Sequence, residues 1–341
     1  MMEKWLEECK NGNRMLIEAD LTPMMGDRFQ PTGFADIDAA LYERPDGTRM
    51  LLVESAQSVA NRMEKVIIGT NGIDISTELD GIPYVRSKMT GATDAVTSSL
   101  IEPHRLNSPF IIGEKNFEKS LKGEMGYKTG ANVNWGKVAG VLFKYDPNSL
   151  IHGIFFSNLD DGRVRLPRLL TGFIEAEGVR EVYSGGVKNN SIDPSGKIRV
   201  ADSSIKSGVY SNIPYHRVEF VSKRIKAFFN LDTGMLRSYA LPEVGTELLL
   251  LLSTYKVAKF LEDDLRLRTM CDLRVDGPVR VVKPAGIEIP TSKDVLIRLQ
   301  GAIKACEEQG LFARPSVTDL VVATKAASKE EEANDEQGEG Q

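Results

Sequence analysis

Neutral polar side chains mark the start of a helix predicted near residue 56. The segment TRMLLVES (48–55) is rich in aliphatic residues and predicts a strand, and the residues that follow it predict a helix. The polar residues at this junction are Ser55, Gln57, Ser58, Asn61 and Arg62. None of these side chains is a general base near neutral pH. The junction therefore predicts binding through hydrogen bonds rather than proton chemistry.

The predicted helix has an apolar face and a polar face. Residues at helical spacing form the apolar face: Ala56, Val59, Ala60, Met63 and Ile67. The polar residues form a second face with an adjoining edge: Gln57, Asn61, Lys65, Ser58 and Arg62. Ser55 is a suitable N-cap, so the helix is expected to begin immediately after it.

Hydrogen-bond donors also recur in other turns of the chain. They are Arg28 and Gln30 in GDRFQ, His104, Arg105 and Asn107 in EPHRLNS, Lys188, Asn189 and Asn190 in a glycine-rich loop, and His216 and Arg217 in IPYHR. Arginine can bind phosphate through paired hydrogen bonds, and histidine can stack on an unstacked base. Taken singly, each residue is equally consistent with an ordinary cap, turn or salt bridge.

The sequence lacks the common motifs of nucleotide hydrolysis and metal binding. The segment GANVNWGKV (130–138) resembles a phosphate-binding loop, but its spacing is one residue too long and Val138 replaces the required Ser or Thr. The histidines are not spaced as metal ligands, and His152 is predicted to be a core residue because aliphatic residues surround it. No cofactor, metal site or catalytic residue is predicted.

Charge is concentrated in the last residues of the chain. The formal net charge is −5 for 341 residues, and the final thirteen, KEEEANDEQGEGQ, contain six acids and one lysine. Removing these from 43 basic and 48 acidic residues leaves 42 of each in 1–328, so the body is neutral. This excludes a strongly basic nucleic-acid binder. The tail, 329–341, is predicted to be disordered.

Composition also bears on location. The three cysteines are far apart and form no C-x-x-C pair, which is typical of a reducing cytoplasm. We find no apolar run long enough to span a bilayer and no secretion signal. The chain is therefore predicted to be cytoplasmic.

The predicted elements give an α+β fold in one domain, residues 1–328. Strands are predicted at 14–21, 48–55, 138–145 and 149–157, within 163–179 and within 217–232. A hairpin is predicted over 271–282 around Asp276-Gly277, and further helices over 244–268 and from Thr291 to about 309. Large insertions are predicted at about 25–48, 69–135 and 183–215, and 183–197 is predicted to be a loop.

Several segments resemble, in order, the backbone subunit of type I-G (formerly I-U) CRISPR surveillance complexes. They are RFQPTGFADI, LLVESAQSVANRMEK, EPHRLNSPFI, FKYDPNSLIHGIFF, RLPRLLTGFIEA, SGGVKNNSIDPSG, YHRVEFV and LRLRTMCDL. The resemblance extends from about residue 14 to 323 and implies membership of the repeat-associated RNA-binding superfamily. It implies a modified RNA-recognition-motif core, ferredoxin-like βαββαβ, with large insertions. Residues 55–58 also resemble the S-S-Q-S turn that lies along the CRISPR RNA in other type I systems, although Arg62 falls one position later than their basic residue.

The resemblance implies a non-catalytic subunit of a prokaryotic antiviral complex. Copies would polymerise head to tail on one CRISPR RNA. The expected partners are the large subunit, the subunit that processes and caps the RNA, the target DNA strand paired to the guide, and a recruited helicase–nuclease. Two alternatives remain open. Related type III subunits cut target RNA with a divalent metal and an aspartate in the loop after the first strand, where this chain has Asp27, Asp36 and Asp38. The other alternative is a free-standing RNA-binding protein.

Overall fold

The computed structural model describes residues 1–325 except 158, 160, 196 and 198–211. The helices are α1 Met2–Asn11, α2 Ala56–Lys65, α3 Pro109–Ile112, α4 Lys115–Met125, α5 Trp135–Tyr145, α6 Pro147–His152, α7 Thr233–Ser238, α8 Glu243–Glu262 and α9 Ser292–Glu308. The strands are β1 Met15–Pro23, β2 Gly33–Phe34, β3 Asp38–Ala39, β4 Leu41–Glu43, β5 Arg49–Glu54, β6 Tyr84–Gly91, β7 Val96–Ser98, β8 Ile154–Phe155, β9 Arg165–Leu166, β10 Leu170–Glu177, β11 Arg180–Lys188, β12 Ile213–Val221, β13 Arg224–Leu231, β14 Leu265–Arg268, β15 Cys271–Val275, β16 Arg280–Lys283 and β17 Val317–Thr324.

An antiparallel sheet forms the centre of the fold. Its strand order is β14-β15-β1-β13-β10-β5-β4, and β16 also pairs with β1. In sequence, α2 lies between β1 and β10, and α8 lies between β13 and β15. The prediction of an α+β fold is confirmed.

The core lies between this sheet and a central helix. In β1 the buried and half-buried residues alternate from Met15 to Leu21, as expected for a strand with one core face. Helix α8 is buried without interruption from Leu248 to Ala258, because α1, α2, α6, α7 and α9 all contact the helix. Among the described residues, no helix is long and apolar enough to cross a membrane.

The prediction of strands at 138–145 and 149–157 was wrong, because most of these residues are helical. The first segment lies in α5, and the second contains the end of α6 and the two-residue β8. Both helices are capped: the Asn134 side chain accepts from Lys137 N at 3.0 Å, and that of Asp146 accepts from Asn148 N at 3.0 Å. Short apolar runs suit a buried strand and a buried helix equally, so their periodicity alone could not decide between the two.

The prediction of a loop at 183–197 was wrong for residues 183–188, which form part of a strand. Residues 183–188 belong to β11, which pairs with β12 from Arg180↔Val221 to Lys188↔Ile213. A Cβ on Gly185 would lie only 2.7 Å from Tyr215 O, so glycine permits this close pairing. Cross-strand contacts with a segment 25 or more residues away override the local turn signal. We call β11 and β12 the ribbon.

The hairpin predicted over 271–282 was also wrong. Strands β15 and β16 do not pair with each other but follow one another along the same edge of β1, both antiparallel to it. Gly277, at φ +88°, lies between them. The nine residues of β1 are long enough to pair with both strands.

The predicted insertions contain secondary structure of their own. Residues 25–48 contain β2, β3 and β4, and residues 69–135 contain β6, β7, α3 and α4. Strand β6 pairs in parallel with β17 in a separate sheet. The predicted tail, 329–341, lies outside the described residues.

Candidate nucleic-acid interface

Helix α2 begins as the sequence predicts. The Ser55 hydroxyl oxygen accepts a hydrogen bond from Ser58 N at 3.2 Å, which confirms Ser55 as the N-cap. The apolar face is directed into the core, where Val59, Ala60 and Met63 are fully buried. The polar face, with Gln57 and Asn61, is exposed.

An arginine from a distant part of the chain extends this polar face. Arg168, in the turn between β9 and β10, donates to Ala56 O at 3.1 Å and also to Gln57 Oε1. The Gln57 amide in turn donates to Asn61 Oδ1 at 3.2 Å. We call Arg168, Gln57 and Asn61 the α2 polar row. Sequence reasoning missed Arg168, whose only local signal is the preceding proline of RLPRLL.

A buried carboxylate lies behind the start of α2. Glu54 has no exposed surface and accepts hydrogen bonds from Ser58 Oγ, Arg62 Nε at 2.7 Å and Thr32 Oγ1 at 3.2 Å. Arg268 forms a further ion pair with it. The predicted donors Ser58 and Arg62 are therefore engaged inside the protein, and their RNA contacts stay predictions. Glu54 was not identified from the sequence.

An open pocket of about 440 Å³ adjoins the α2 polar row. Its lining includes His104, Arg105, His152, Phe155, Pro167 and Arg168. Because Arg168 belongs to both features, the pocket and the row form one continuous surface. The structure thus brings the EPHRLNS turn next to the start of α2.

The members of the EPHRLNS turn differ in exposure. His104 is exposed, whereas Arg105 and Asn107 are buried. Arg105 donates to Glu64 Oε1 at 2.8 Å and to Gly153 O at 3.0 Å, and Asn107 donates to Ser157 Oγ at 3.1 Å. Within this group only His104 presents its side chain fully to solvent, while Arg105 and Asn107 hold the pocket wall together.

A buried polar cluster lies beneath the pocket. His152 is 1% exposed, as predicted for a core histidine, and its Nε2 lies 2.8 Å from Lys256 Nζ. Burial lowers the pKa of Lys256 to about 7, and burial followed by the Lys256 charge lowers the pKa of His152 well below its usual range. Burial also raises the pKa of Asp146 to about 6.

A second group of predicted donors surrounds another buried carboxylate. Glu219 in β12 is fully buried; Arg28 lies 3.3 Å from its Oε2 and Arg217 Nε lies 2.8 Å from its Oε1. Gln30, two residues after Arg28 in the chain, is half-buried. Its side-chain oxygen, Oε1, has no hydrogen-bond partner among the described residues. His216 is exposed. These residues join the loop after β1 to the base of the ribbon.

A third group lies where β11 ends. Lys188 and Asn189 are exposed. The Asn190 side chain accepts from the backbone N–H groups of Ile192 and Asp193, each at 2.9 Å, so it stabilises a turn. The sequence-predicted donors therefore fall into three places: the α2 surface, the Glu219 group and the end of β11.

The aspartates of the catalytic alternative are all on the surface. Asp27, Asp36 and Asp38 are exposed. In the part of the chain that the structure describes, no group of three or more His, Cys, Asp and Glu side chains is arranged to hold a metal ion.

Comparison with known proteins points to CRISPR systems. The model of the family described as CRISPR-associated protein GSU0053 (Cas_GSU0053) matches residues 15–181, which include β1, α2 and all the residues that line the pocket. The chain is therefore similar to CRISPR-associated proteins over this segment. No curated protein matches it.

Solved structures of CRISPR proteins also match. A structure described as "CRISPR RNA-guided surveillance complex, pre-nicking" is 10% identical with a TM-score of 0.37, covering 87% of this chain and 86% of that chain. A crystal structure of Thermofilum pendens Csc2 is 12% identical with a TM-score of 0.30, covering 89% of this chain and 79% of that chain.

Proposed function

We propose that this protein is a non-catalytic RNA-binding backbone subunit of a type I-G CRISPR surveillance complex. The observation that carries the proposal is the α2 polar row. All three of its residues, Gln57, Asn61 and Arg168, lie within the segment that resembles CRISPR-associated proteins. The row presents one cationic and two amide side chains along the first two turns of a helix, starting at its N-terminus. This is the chemistry of a phosphate-binding surface.

The row suits recognition of a strand of any sequence. Helix N-termini and amide donors contact phosphate and sugar groups, which are the same in every nucleotide. A guide-carrying subunit needs this property because base pairing, not the protein, reads the target. The side chains of the row carry no negative charge that would repel the RNA backbone.

The topology supports an RNA-recognition-motif core. Strands β15, β1, β13 and β10 are adjacent in that order, with α2 and α8 as the intervening helices in sequence. This is the strand order of a ferredoxin-like βαββαβ unit. The remaining elements would be insertions into it or extensions at its two ends, namely α1 before β1 and β16, α9 and β17 after β15. The whole of residues 1–328 would then be one domain.

The neutral body supports an assembly of many copies. Residues 1–328 carry 42 basic and 42 acidic residues once the 13-residue tail is removed from 43 and 48. A neutral protein has little long-range attraction for RNA, so each copy would bind weakly and neighbouring copies would supply further free energy. The partners would be the large subunit, the RNA-processing and capping subunit, the target DNA strand and a helicase–nuclease, in the prokaryotic cytoplasm.

Copurified RNA tests the proposal. The full-length protein is expressed with a CRISPR array, purified and treated with nuclease, and the protected RNA is sequenced. The proposal predicts protected fragments from the array whose lengths increase in regular steps, one step for each copy. RNA of mixed cellular origin would instead favour the free-standing RNA-binding protein, and the absence of protected RNA would contradict both.

A further inference from the structure

We infer that the pocket beside α2 holds one nucleotide of the bound RNA, with its base against Phe155 and its phosphate at Arg168. The inference rests on the proposed RNA-binding function. It adds a specific site for a single unstacked nucleotide next to the α2 polar row.

The pocket has the size and wall of a site for a small planar group. Its volume, about 440 Å³, falls within the range of roughly 300–1,000 Å³ that is typical of small-ligand sites. Ile154, Phe155 and Pro167 give it an apolar wall. Phe155 is 40% exposed, so part of its ring is open to an occupant of the pocket.

An arginine outside the pocket holds the Phe155 ring. The guanidinium carbon of Arg165 lies 4.1 Å from the ring centroid, a cation–π contact. Arg165 and Phe155 are paired across the short β8–β9 ladder, so the backbone fixes this arrangement. A ring that is held in this way offers a base a preformed stacking surface.

The polar side of the pocket suits a phosphate. His104, Arg105 and Arg168 line it, and no carboxylate among the described residues does. Arg105 is neutralised by Glu64 at 2.8 Å, but the acceptors that Arg168 contacts, Ala56 O and Gln57 Oε1, are uncharged. Arg168 therefore brings a positive charge that these contacts do not neutralise.

A buried histidine at the pocket also favours an occupied site. His152 lines the pocket, and its Nδ1 has no hydrogen-bond partner among the described residues. Its Nε2 is already in contact with Lys256. An unpartnered buried polar atom costs free energy, which an occupant with hydrogen-bond groups, acting directly or through water, would offset.

The pocket and the row can serve the same strand. Arg168 contacts Gln57 and lines the pocket, so a phosphate at Arg168 lies between the two features. A strand that follows the row can thus direct its next base towards Phe155. Loss of stacking between neighbouring bases would be compensated by stacking on this ring.

Photo-crosslinking and binding together test the inference. The full-length protein is mixed with RNAs that carry 4-thiouridine at successive positions, irradiated, digested and mapped by mass spectrometry. Affinity is measured in parallel for the wild type, Phe155→Ala, Phe155→Trp and the control Phe110→Ala, which removes a phenylalanine of similar exposure, 38%, outside the pocket. UMP binding to each protein is measured as well.

We expect crosslinks in the peptides that line the pocket. Phe155→Ala should weaken RNA binding by roughly ten-fold, since base–aromatic stacking is of that order, whereas Phe155→Trp and Phe110→Ala should bind like the wild type. RNA that binds tightly but crosslinks only elsewhere, with Phe155→Ala unaffected, would overturn the inference and leave the proposed function standing. UMP binding that depends on Phe155 without any effect on RNA would assign the pocket to a free nucleotide and also overturn it. Absence of any RNA binding by the wild type would refute the proposed function itself.

Discussion

Arg168 donates a hydrogen bond to the side chain of Gln57, although 111 residues separate them in the chain. This contact fixes the orientation of the Gln57 amide, because its oxygen faces Arg168 and its nitrogen faces Asn61. The start of α2 is thus an ordered surface rather than a set of independent side chains. A preorganised donor array binds a ligand at a smaller entropic cost.

Glu54 should be a major determinant of stability. Glu54→Ala would leave Arg62 and Arg268 without their buried carboxylate, and the loss of one partner of a buried ion pair costs about 3–5 kcal/mol. Glu181→Ala, which breaks the exposed pair with Arg49, should cost at most about 1 kcal/mol. Urea unfolding of the two variants measures the difference. Equal losses would show that the Glu54 cluster is not a structural centre.

Stability should rise with pH above neutrality because of Lys256. Its pKa is about 7 in the folded protein and 10.5 when unperturbed, so between these values the unfolded chain binds more protons than the folded one. The contribution of Lys256 to the free energy of unfolding therefore increases from pH 7 towards pH 10, by at most about 1.4 kcal/mol per unit.

Lys256→Met should remove this rise. Chemical unfolding at several pH values compares it with the wild type and with Lys259→Met, a control on the more exposed side of the same helix. The curve of Lys259→Met should remain parallel to that of the wild type. If the Lys256→Met curve is also parallel, Lys256 is charged in the folded protein and this account of its burial is wrong.

Target RNA should remain intact in an assembled complex that contains magnesium or manganese. This prediction follows from the proposed non-catalytic role, and a gel assay of labelled complementary RNA checks it. Regularly spaced cleavage that disappears in Asp27→Ala, Asp36→Ala or Asp38→Ala would instead support the metal-dependent alternative.

Removal of the acidic tail should not weaken RNA binding. Residues 329–341 carry six acids and one lysine, so their deletion removes charge that repels RNA. Affinity at low salt should stay equal or become slightly tighter, and the difference should shrink as salt screens it. A salt series with full-length and truncated protein measures this. A clear loss of binding on truncation would assign the tail a contact of its own.

Local signals in the sequence predict α2 well. Its apolar spacing and the Ser55 cap are contained within a few residues, and the structure bears out both. The same reasoning fails for α6, all six residues of which are buried. It also fails for α5, where only Gly140 and Lys144 interrupt the buried residues of 138–145, too few to reveal the helical period. It also fails for β11, whose strand depends on pairing with β12.

The candidate site was only partly predictable for the same reason. Gln57 and Asn61 were identified because they share one face of a predicted helix. Arg168 and Glu54 were not, since their roles arise from contacts across 111 and more than 200 residues, with Gln57 and Arg268 respectively. Arg62 shows the converse: it was predicted to face the ligand but pairs with Glu54.

Binding of unrelated RNAs by an α2 double variant tests the central claim most directly. Gln57→Ala combined with Arg168→Ala removes two members of the polar row. The matched control, Gln300→Ala with Arg314→Ala, removes an exposed glutamine and arginine that each donate to a backbone carbonyl elsewhere. Circular dichroism and thermal unfolding confirm that both double variants are folded.

We expect the α2 variant to lose affinity by a similar factor for two RNAs of unrelated sequence. The loss of a hydrogen bond from a charged group costs about 1.5–3 kcal/mol, or roughly ten-fold or more in Kd, and the control should bind like the wild type. Unchanged affinity of the α2 variant, or a loss confined to one RNA sequence, would contradict the claim that this row binds the RNA backbone.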